Sequence, residues 1–158
     1  MAWKLIDPNG NEFTGDITKL SLSELRSLEP GWFPWNTYMQ RKDRSHVSVF
    51  KLQRVGYTDI LGIVSVFYND GVVIDSLEIA PHSRRIPIPQ RRYVNLCDIM
   101  IAFAALYGSE NFDDSFIGLV PKTGLRRHYI RKYKAQPMGV LYGIDPIVTS
   151  KLVRLYYI

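Results

Sequence analysis

The sequence predicts a single α+β domain in which helices flank a mostly antiparallel sheet. Three observations support this fold class. The length of 158 residues and the 46% hydrophobic content suit one domain with a real core. Three consecutive segments from residue 47 have the pattern of extended chain, and an apolar helical pattern beginning at Leu96 is followed by another β-rich segment. We therefore expect a βαβ unit within an antiparallel sheet, with residues 47–158 as the core of the domain.

Residues 1–46 contain signals for a hairpin and a short helix. An apolar segment at residues 3–6 precedes Asn9-Gly10, a pair that favours the positive φ angles of a tight turn. Further on, Ser21 and Glu24 have the spacing of a capping box, which predicts a short helix that ends by Pro30-Gly31. The aromatic run Trp32-Phe33-Pro34-Trp35 that follows fits either a core plug or one wall of a ligand groove.

The central part of the chain predicts an antiparallel meander. Residues 47–52 alternate between apolar and polar, and two further β-rich segments cover residues 60–68 and 72–80. Turn-forming residues separate the three segments. Strict alternation along the third strand would place Glu78 on the same face as Ile74 and Ser76, opposite Leu77 and Ile79.

Helical spacing returns in the second half of the chain. Apolar residues recur with helical spacing at Leu96, Ile99, Met100, Phe103 and Tyr107, with Gly108 as the expected stop. A strand at 116–120, a basic helix over about 124–134 and a strand at 139–144 follow. Asp145-Pro146 then predicts a final helix, with Asp as the N-cap and Pro at the first helical position.

The chain has a net charge of +5, and its basic residues are concentrated in two segments. Residues 84–92 and 122–134 together carry ten of the twenty Lys and Arg residues, Arg84, Arg91 and Arg92 among them. Clustered positive charge attracts anions, so a phosphorylated ligand or a nucleic acid is one interpretation, and a solvated charged face is the other.

Cysteine content and hydropathy exclude several classes of protein. Cys97 is the only cysteine, so the chain can form no internal disulfide and has no cysteine cluster for a metal. The sequence contains no apolar run of about 18 residues, and residues 1–4 do not open a signal peptide. We therefore expect a cytoplasmic protein with no membrane association, either a monomer or a homodimer.

Several short motifs resemble one known superfamily. They are Leu77-Glu78-Ile79-Ala80-Pro81, Arg92-Tyr93-Val94-Asn95-Leu96-Cys97, Lys122-Thr123 and His128-Tyr129. Their order along a meander, a loop, a helix and a strand resembles the GNAT superfamily of N-acetyltransferases, related to the histone acetyltransferases. In particular, it is similar to a small bacterial branch of that superfamily, over roughly residues 47–158.

The resemblance implies that the protein binds acetyl-coenzyme A (acetyl-CoA) through its pyrophosphate. The binding loop would be formed by the backbone of Tyr93, Val94, Asn95, Leu96 and Cys97, with Arg84, Arg91 and Arg92 as charge partners. Free N–H groups at a helix start bind phosphate, and this loop opens a helix. The superfamily frame reads Arg92-x-x-Asn95-x-Cys97 here, so both of its usual small residues are replaced, and residues 86–89 lengthen the loop.

The resemblance also assigns the chemistry of acetyl transfer. Glu78 would be the base that takes the amine proton, and Tyr129 the acid that protonates the departing thiolate. The backbone amides of Ile79 and Ala80 would pair with the pantetheine arm and polarise the thioester carbonyl. The residues alone leave alternatives open: Glu78 also suits an ion pair with an arginine, and Tyr129 suits an ordinary core contact.

Three functions therefore follow from the sequence. The first is an acetyl-CoA-dependent transferase acting on a primary amine of a small molecule, a protein or an aminoacyl-tRNA. The second is a catalytically silent relative that binds a coenzyme or a protein, which the missing loop glycines favour. The third is a nucleic-acid binding module that uses the basic helix 124–134, with Tyr129 and Tyr133 stacking on bases.

Overall fold

The computed structural model describes residues 1–41, 43, 45–83 and 91–158. These residues form one eight-stranded sheet in the order β1-β2-β3-β4-β5-β6-β8-β7, with helices on both faces. Every neighbouring pair of strands is antiparallel except β5 and β6, which are parallel. The predicted α+β class, with a βαβ unit in a mostly antiparallel sheet, is confirmed.

The first half of the chain provides five strands and two short helices of the described structure. They are β1 (Ala2–Ile6), β2 (Glu12–Lys19), α1 (Leu22–Arg26), α2 (Trp35–Gln40), β3 (Ser48–Arg54), β4 (Ile60–Tyr68) and β5 (Val72–Ile79). The predicted capping box is present, because the Ser21 side chain accepts from the Glu24 N–H and the Ser21 N–H donates to the Glu24 carboxylate. Helix α1 ends at Arg26, before the predicted Pro30-Gly31 stop, and α2 was not predicted at all.

The second half of the chain begins with a 3-10 turn at Pro81–Ser83 and resumes after the segment that is not described. Its elements are α3 (Leu96–Phe112), β6 (Ile117–Leu119), a 3-10 turn (Thr123–Leu125), α4 (Arg126–Tyr133), β7 (Gln136–Met138), β8 (Leu141–Ile144) and α5 (Pro146–Tyr156). The Asp145 side chain accepts a 2.8 Å hydrogen bond from the Ile147 N–H, so the predicted N-cap is confirmed. The strand predicted at 139–144 is one arm of a hairpin formed by β7 and β8.

Two apolar cores lie on opposite faces of the sheet. The larger core buries α3 against the sheet, with α5 and residues of α4 packed into it. The smaller core lies under α1 and α2 and contains Leu25, Trp35, Tyr38, Val49 and Ile63. Trp35 has none of its surface exposed, so this residue of the aromatic run is a core residue, as the first of the two interpretations predicts.

Residues 1–46 are a full part of the sheet. Strand β2 pairs with β3 over Gly15–Lys19, and β1 pairs with β2 around a turn in which Gly10 has a φ of 85°. Only glycine among common residues takes this φ without strain, which explains the Asn-Gly signal. The N-terminal hairpin therefore extends the sheet of residues 47–158.

A bulge in β5 changes which residues share a face. Ser65 of β4 pairs with Ser76 and Val66 pairs with Ile74, which leaves Asp75 as an extra residue in β5. Ile74 and Leu77 therefore both pack into the larger core, on the α3 face. The expectation that Glu78 shares a face with Ile74 is wrong, because the extra residue reverses the alternation and turns Glu78 toward the α2 face.

Gly108 lies inside α3 and does not end it as predicted. The helix continues to Phe112, and its C-cap residue Asp113 has a left-handed φ of 53°. A Cβ atom at position 108 would lie 2.3 Å from the Asp114 carbonyl oxygen and 2.6 Å from the Val72 Cγ2. Glycine is therefore required here for the close approach of α3 to the sheet and to the following loop.

We expect Gly108→Ala to destabilise the protein. Alanine in a helix interior normally stabilises by roughly 0.5–1 kcal/mol relative to glycine. Here the contact with a backbone carbonyl reverses the sign, and we expect the free energy of unfolding to fall by roughly 1–3 kcal/mol in urea denaturation. Gly124→Ala is the matched control, since nothing lies within 4 Å of its Cβ position, and it should change stability little. Equal stability of the two variants would contradict this account.

Candidate active site

A cleft opens where β5 and β6 separate. The two strands pair only from Val72–Ile117 to Ile74–Leu119, where β6 ends, while β5 continues to Ile79. Pro121 has no N–H group and cannot extend the ladder from β6, and the bulge at Asp75 bends β5 at the same level. Each strand therefore has its own local feature that ends the pairing.

The cleft has a volume of about 570 Å³, which lies in the size range of small-molecule sites. The part of β5 after Ile74 and the segment that follows β6 form two of its sides, and the start of α3 and the inner face of α4 form the others. Its polar and charged lining residues are Asp75, Ser76, Glu78, Ser83, Arg91, Tyr93, Cys97, Lys122, His128, Tyr129 and Lys132.

The backbone of β5 offers hydrogen-bonding groups to the cleft at alternate residues. The Ala80 N–H donates to the Leu61 carbonyl at 3.0 Å, so its amide serves the sheet and is not available to a ligand. In an antiparallel pair successive residues direct their amides to opposite sides, and Ile79 therefore directs its amide away from β4 and toward the cleft. The expectation for Ala80 is wrong for this reason, whereas Ile79 lines the cleft.

Glu78 lies on the wall of the cleft nearest α2 and is only 6% exposed. Its carboxylate accepts a 2.8 Å hydrogen bond from Trp35 Nε1 and a bond shared between both oxygens from the Phe33 N–H, at 3.1 Å. A carboxylate held by several donors has a fixed orientation. Neither aromatic residue was recognised as a partner of Glu78 from the sequence, because 43 to 45 residues separate them along the chain.

Tyr129 lies on the wall formed by α4, and its side chain is 7% exposed. Burial, together with the adjacent Cys97, raises the pKa of its hydroxyl above the ordinary value. The phenol is therefore protonated at neutral pH and is able to donate a hydrogen bond into the cleft. Glu78 and Tyr129, which sequence reasoning named separately, line the same cavity.

The start of α3 is tied to the edge strand β1. Asn95 is the N-cap residue, with a φ of −120°, outside the left-handed region. Its side chain accepts from the Ile6 N–H at 3.0 Å and donates to the Lys4 carbonyl at 2.9 Å, and the Val94 N–H donates to the Ile6 carbonyl. Asn95 and the Val94 amide are thus committed to the fold, whereas Leu96 and Cys97 line the cleft.

The expected charge partners occupy different positions. Arg91 lines the cleft. The guanidinium of Arg92 instead bonds to Asp59 at 2.7 Å and lies over the Tyr57 and Tyr93 rings. Arg92 is turned away because Asp59, in the turn between β3 and β4, offers it an ion pair, and Arg84 lies outside the described residues.

Several cleft residues were not assigned from the sequence. Asp75 accepts a hydrogen bond from the Tyr38 hydroxyl, and Lys122 and Lys132 add positive charge to the cleft. Burial and the neighbouring Lys132 and Arg131 lower the pKa of His128, so its imidazole is neutral at pH 7. The motif His128-Tyr129 gave a sequence signal for the position of His128. The bulge that places Asp75 in the cleft lining has no sequence signature of its own.

Helix α4 presents its cations to the surface and its tyrosines to the core. Its exposed basic residues are Arg126, Arg127, Arg131 and Lys132, with Lys134 at the C-cap. Tyr129 and Tyr133 are buried in the larger core. The expectation that these two rings stack on bases is therefore wrong.

Two negative findings concern the described part of the chain. No group of three or more His, Cys, Asp and Glu side chains there is arranged to hold a metal ion. No helix in the same residues is long and apolar enough to cross a bilayer.

Comparison with known proteins identifies the fold through structure alone. No family model matches the sequence, and no curated protein matches it. Among solved structures, AtaTR bound with acetyl-CoA superposes with a TM-score of 0.60 at 11% identity, over 87% of this chain and 97% of that one. This coverage exceeds what residues 47–158 supply, so the likeness includes part of the N-terminal region that the sequence motifs do not cover.

Two other solved structures superpose on this chain with similar TM-scores. FdhC, a nucleotide-linked sugar GNAT in its apo form, has a TM-score of 0.58 at 9% identity, covering 98% of this chain and 96% of that one. A chimera of the spermidine N-acetyltransferase SpeG, from Vibrio cholerae and hSSAT, has a TM-score of 0.55 at 12% identity, covering 88% and 98% respectively. The chain therefore has the fold of the GNAT superfamily of N-acetyltransferases, which the sequence motifs led us to expect.

Proposed function

We propose that this protein is an acetyl-CoA-dependent N-acetyltransferase that transfers an acetyl group to a primary amine. The observation that carries the proposal is the cleft between β5 and β6, which brings together Glu78, Tyr129 and the open backbone edge of β5. Acetyl-CoA in the AtaTR structure and the name of SpeG support the same reaction class.

The residues of the cleft fit an acetyl-CoA ligand. Ile79 offers a backbone amide to an extended arm, and Arg91, Lys122 and Lys132 supply positive charge for phosphates. The Asn95 side chain makes no hydrogen bond to the first turn of α3, because it binds β1 instead. The amides of that turn therefore suit an anion, since the first N–H groups of a helix have no partner within the helix.

Each residue has a distinct role in the proposed transfer. Acetyl-CoA supplies an activated thioester whose carbonyl carbon is attacked by a neutral amine nitrogen. Glu78 takes the proton that the nitrogen loses, directly or through one water molecule. The Ile79 N–H stabilises negative charge on the carbonyl oxygen, and Tyr129 gives its hydroxyl proton to the sulfur as the carbon–sulfur bond breaks.

The only cysteine of the chain provides the test of this proposal. Cys97 is half-buried and lines the cleft, so bound acetyl-CoA should shield it. We expect saturating acetyl-CoA to slow alkylation of Cys97 by N-ethylmaleimide at least tenfold, as measured by intact mass, whereas acetyl phosphate at the same concentration should not. Acetyl-CoA has no free thiol and does not consume the reagent. Equal rates with and without acetyl-CoA would contradict the proposed site.

The pH dependence of the same alkylation follows from the surroundings of Cys97. Burial raises the pKa of its thiol, and the thiolate is the reactive form. The rate for the protein alone should therefore still be rising above pH 9, where an exposed thiol with an ordinary pKa of about 8.5 levels off. A plateau at the ordinary value would place Cys97 in an open aqueous site.

Arg91 and Arg92 form a matched pair for testing phosphate binding. A charge-assisted hydrogen bond contributes roughly 1.5–3 kcal/mol, so Arg91→Ala should raise the Kd for acetyl-CoA at least tenfold. Arg92→Ala removes an exposed pair with Asp59 that lies outside the cleft and should change the Kd less than threefold. A larger effect of Arg92→Ala, measured by calorimetry, would exclude this assignment.

The exposed cations of α4 favour a second candidate function, nucleic-acid binding. A basic helix surface binds phosphate backbones with an affinity that falls steeply with salt. Retention of RNA by the protein at low salt, lost on combined Arg126→Ala and Arg127→Ala substitution, would support it. The two substituted residues lie outside the cleft lining, so acetyl-CoA binding should be unchanged in the same variant. A catalytically silent relative would bind acetyl-CoA but would release no coenzyme A thiol in the presence of any amine.

A further inference from the structure

We propose that Asp75 selects the acceptor of this protein, and that the acceptor is a diamine whose second, charged amino group binds to Asp75. The reacting amino group would lie at Glu78, three residues further along β5. Asp75 is therefore a specificity-determining residue. This inference rests on the proposed function, because it names the acceptor class of the same cleft.

The charges that line the cleft are divided between its walls. Among the described residues, both lining carboxylates, Asp75 and Glu78, belong to β5. The lining Lys and Arg residues come from other walls: Arg91 precedes α3, Lys122 follows β6 and Lys132 belongs to α4. The phosphates of acetyl-CoA are attracted to these cations, so the carboxylate wall suits the acceptor.

The bulge in β5 brings the two carboxylates to the same side of the sheet. Strict alternation would direct side chains three positions apart to opposite faces. The bulge inserts Asp75 as an extra residue, and both Asp75 and Glu78 bond to side chains of α2. Bulges are over-represented next to active sites, where they re-aim a side chain.

Helix α2 orients the two carboxylates in the same way. Trp35 Nε1 donates to Glu78 at 2.8 Å. One turn later along α2, the Tyr38 hydroxyl donates to Asp75 Oδ2. The Tyr38 oxygen also lies 2.9 Å from the Ser65 Oγ, and both of these side chains are buried. Asp75 is thus held by a fixed donor, and a carboxylate with two oxygens is able to accept from a further donor as well.

The two carboxylates have different roles in the proposed transfer. The attacking nitrogen is neutral, and Glu78 alone takes the proton that it loses. A second amino group with an ordinary pKa near 10.4 stays charged at neutral pH, and Asp75 offers it a charge-assisted hydrogen bond.

The spacing of the two carboxylates sets the length of the acceptor. At about 3.3 Å per residue, positions 75 and 78 lie at most roughly 10 Å apart along the strand. With carbon–carbon bonds of about 1.5 Å, a chain of roughly four to six carbon atoms between the amino groups spans most of this distance. The acceptor class is therefore a diamine with a hydrocarbon chain of this length.

The test compares 1,6-diaminohexane with 6-amino-1-hexanol, which has the same chain but a neutral hydroxyl in place of the second amine. Thiol release at saturating acetyl-CoA gives kcat/KM for each acceptor. The wild-type protein should prefer the diamine roughly tenfold or more, because only the diamine forms the charge-assisted hydrogen bond. With 1,3-diaminopropane and 3-amino-1-propanol the preference should be much smaller, since the shorter chain does not reach both carboxylates.

Asp75→Asn should reduce the preference to within about threefold. Asparagine keeps an oxygen that accepts from the Tyr38 hydroxyl, so the substitution removes chiefly the charge. The loss should appear in kcat/KM for the diamine, and the value for the amino alcohol should stay close to wild type. Glu110→Gln is the control, because Glu110 is an exposed carboxylate of α3 outside the cleft lining and its loss should leave the preference unchanged.

The outcomes separate this inference from the proposed function. Equal kcat/KM for the two six-carbon acceptors in the wild type, or an undiminished preference in a folded Asp75→Asn variant, would overturn the role of Asp75 while acetyl transfer itself stands. If thermal unfolding shows that Asp75→Asn does not fold, the chain-length dependence in the wild type decides, and a preference independent of length would contradict the inference. No thiol release with these acceptors, amino sugars or lysine peptides would overturn both proposals.

Discussion

Tyr129→Phe is expected to reduce turnover of acetyl-CoA at least hundredfold while leaving acetyl-CoA binding within twofold of wild type. The substitution removes one hydroxyl from a buried ring and keeps the rest of its packing. General acid catalysis contributes typically 10²- to 10⁴-fold, and that contribution is made only as the thiolate departs. Steady-state kinetics for kcat and calorimetry for Kd measure the two effects independently.

The control for Tyr129→Phe is Tyr142→Phe. Tyr142 also packs against the larger core but does not line the cleft. Its variant should keep the wild-type kcat. Burial raises the pKa of Tyr129 above the ordinary tyrosine value of about 10. The wild-type rate should therefore show no loss from ionisation of Tyr129 as the pH rises to about 10. Turnover by Tyr129→Phe within twofold of wild type would remove Tyr129 from the mechanism.

Glu78→Gln is expected to lower turnover about hundredfold at neutral pH, for the loss of the base. Part of the rate, relative to wild type, should return at high pH, because hydroxide in the solvent can then take the proton that the attacking nitrogen loses in place of Glu78. The pH profile of kcat/KM for the acceptor measures this recovery. A low rate that stays flat with pH would indicate that Glu78 has no role in proton removal.

Trp35→Phe separates the two roles open to Glu78. This variant removes the indole donor that binds Glu78 but keeps the carboxylate. If Glu78 is the base, Trp35→Phe should cost stability through the lost packing of a fully buried side chain and lower kcat less than tenfold. Equal losses of kcat in Trp35→Phe and Glu78→Gln would mean that Glu78 serves only to anchor the segment before α2.

The parts of the fold that depend on local chemistry could be predicted from the sequence. The capping box of α1, the N-cap at Asp145 and the three strands of the meander all arise from residues a few positions apart. Helix α2 could not be predicted, because it is only six residues long and has no side-chain cap. Its supports are long-range ones: Trp35 binds Glu78, and the Tyr38 hydroxyl binds Ser65 at 2.9 Å.

The candidate site was predicted less completely, for the same physical reason. Motif resemblance pointed to Glu78, Ile79 and Tyr129, which do line one cleft. Arg92 pairs with a residue 33 positions away, and Asn95 binds a strand 89 positions away. Such partners have no local sequence pattern, so only the folded chain shows which loop residues remain available to a ligand.

Calorimetric titration of the wild-type protein with acetyl-CoA tests the central claim most directly. The account predicts one binding site per chain with micromolar affinity, weakened at least tenfold by Arg91→Ala and unchanged by Tyr129→Phe. Absence of binding heat at millimolar acetyl-CoA, with the protein shown to be folded, would mean that the cleft between β5 and β6 does not hold this ligand and would contradict the proposed function.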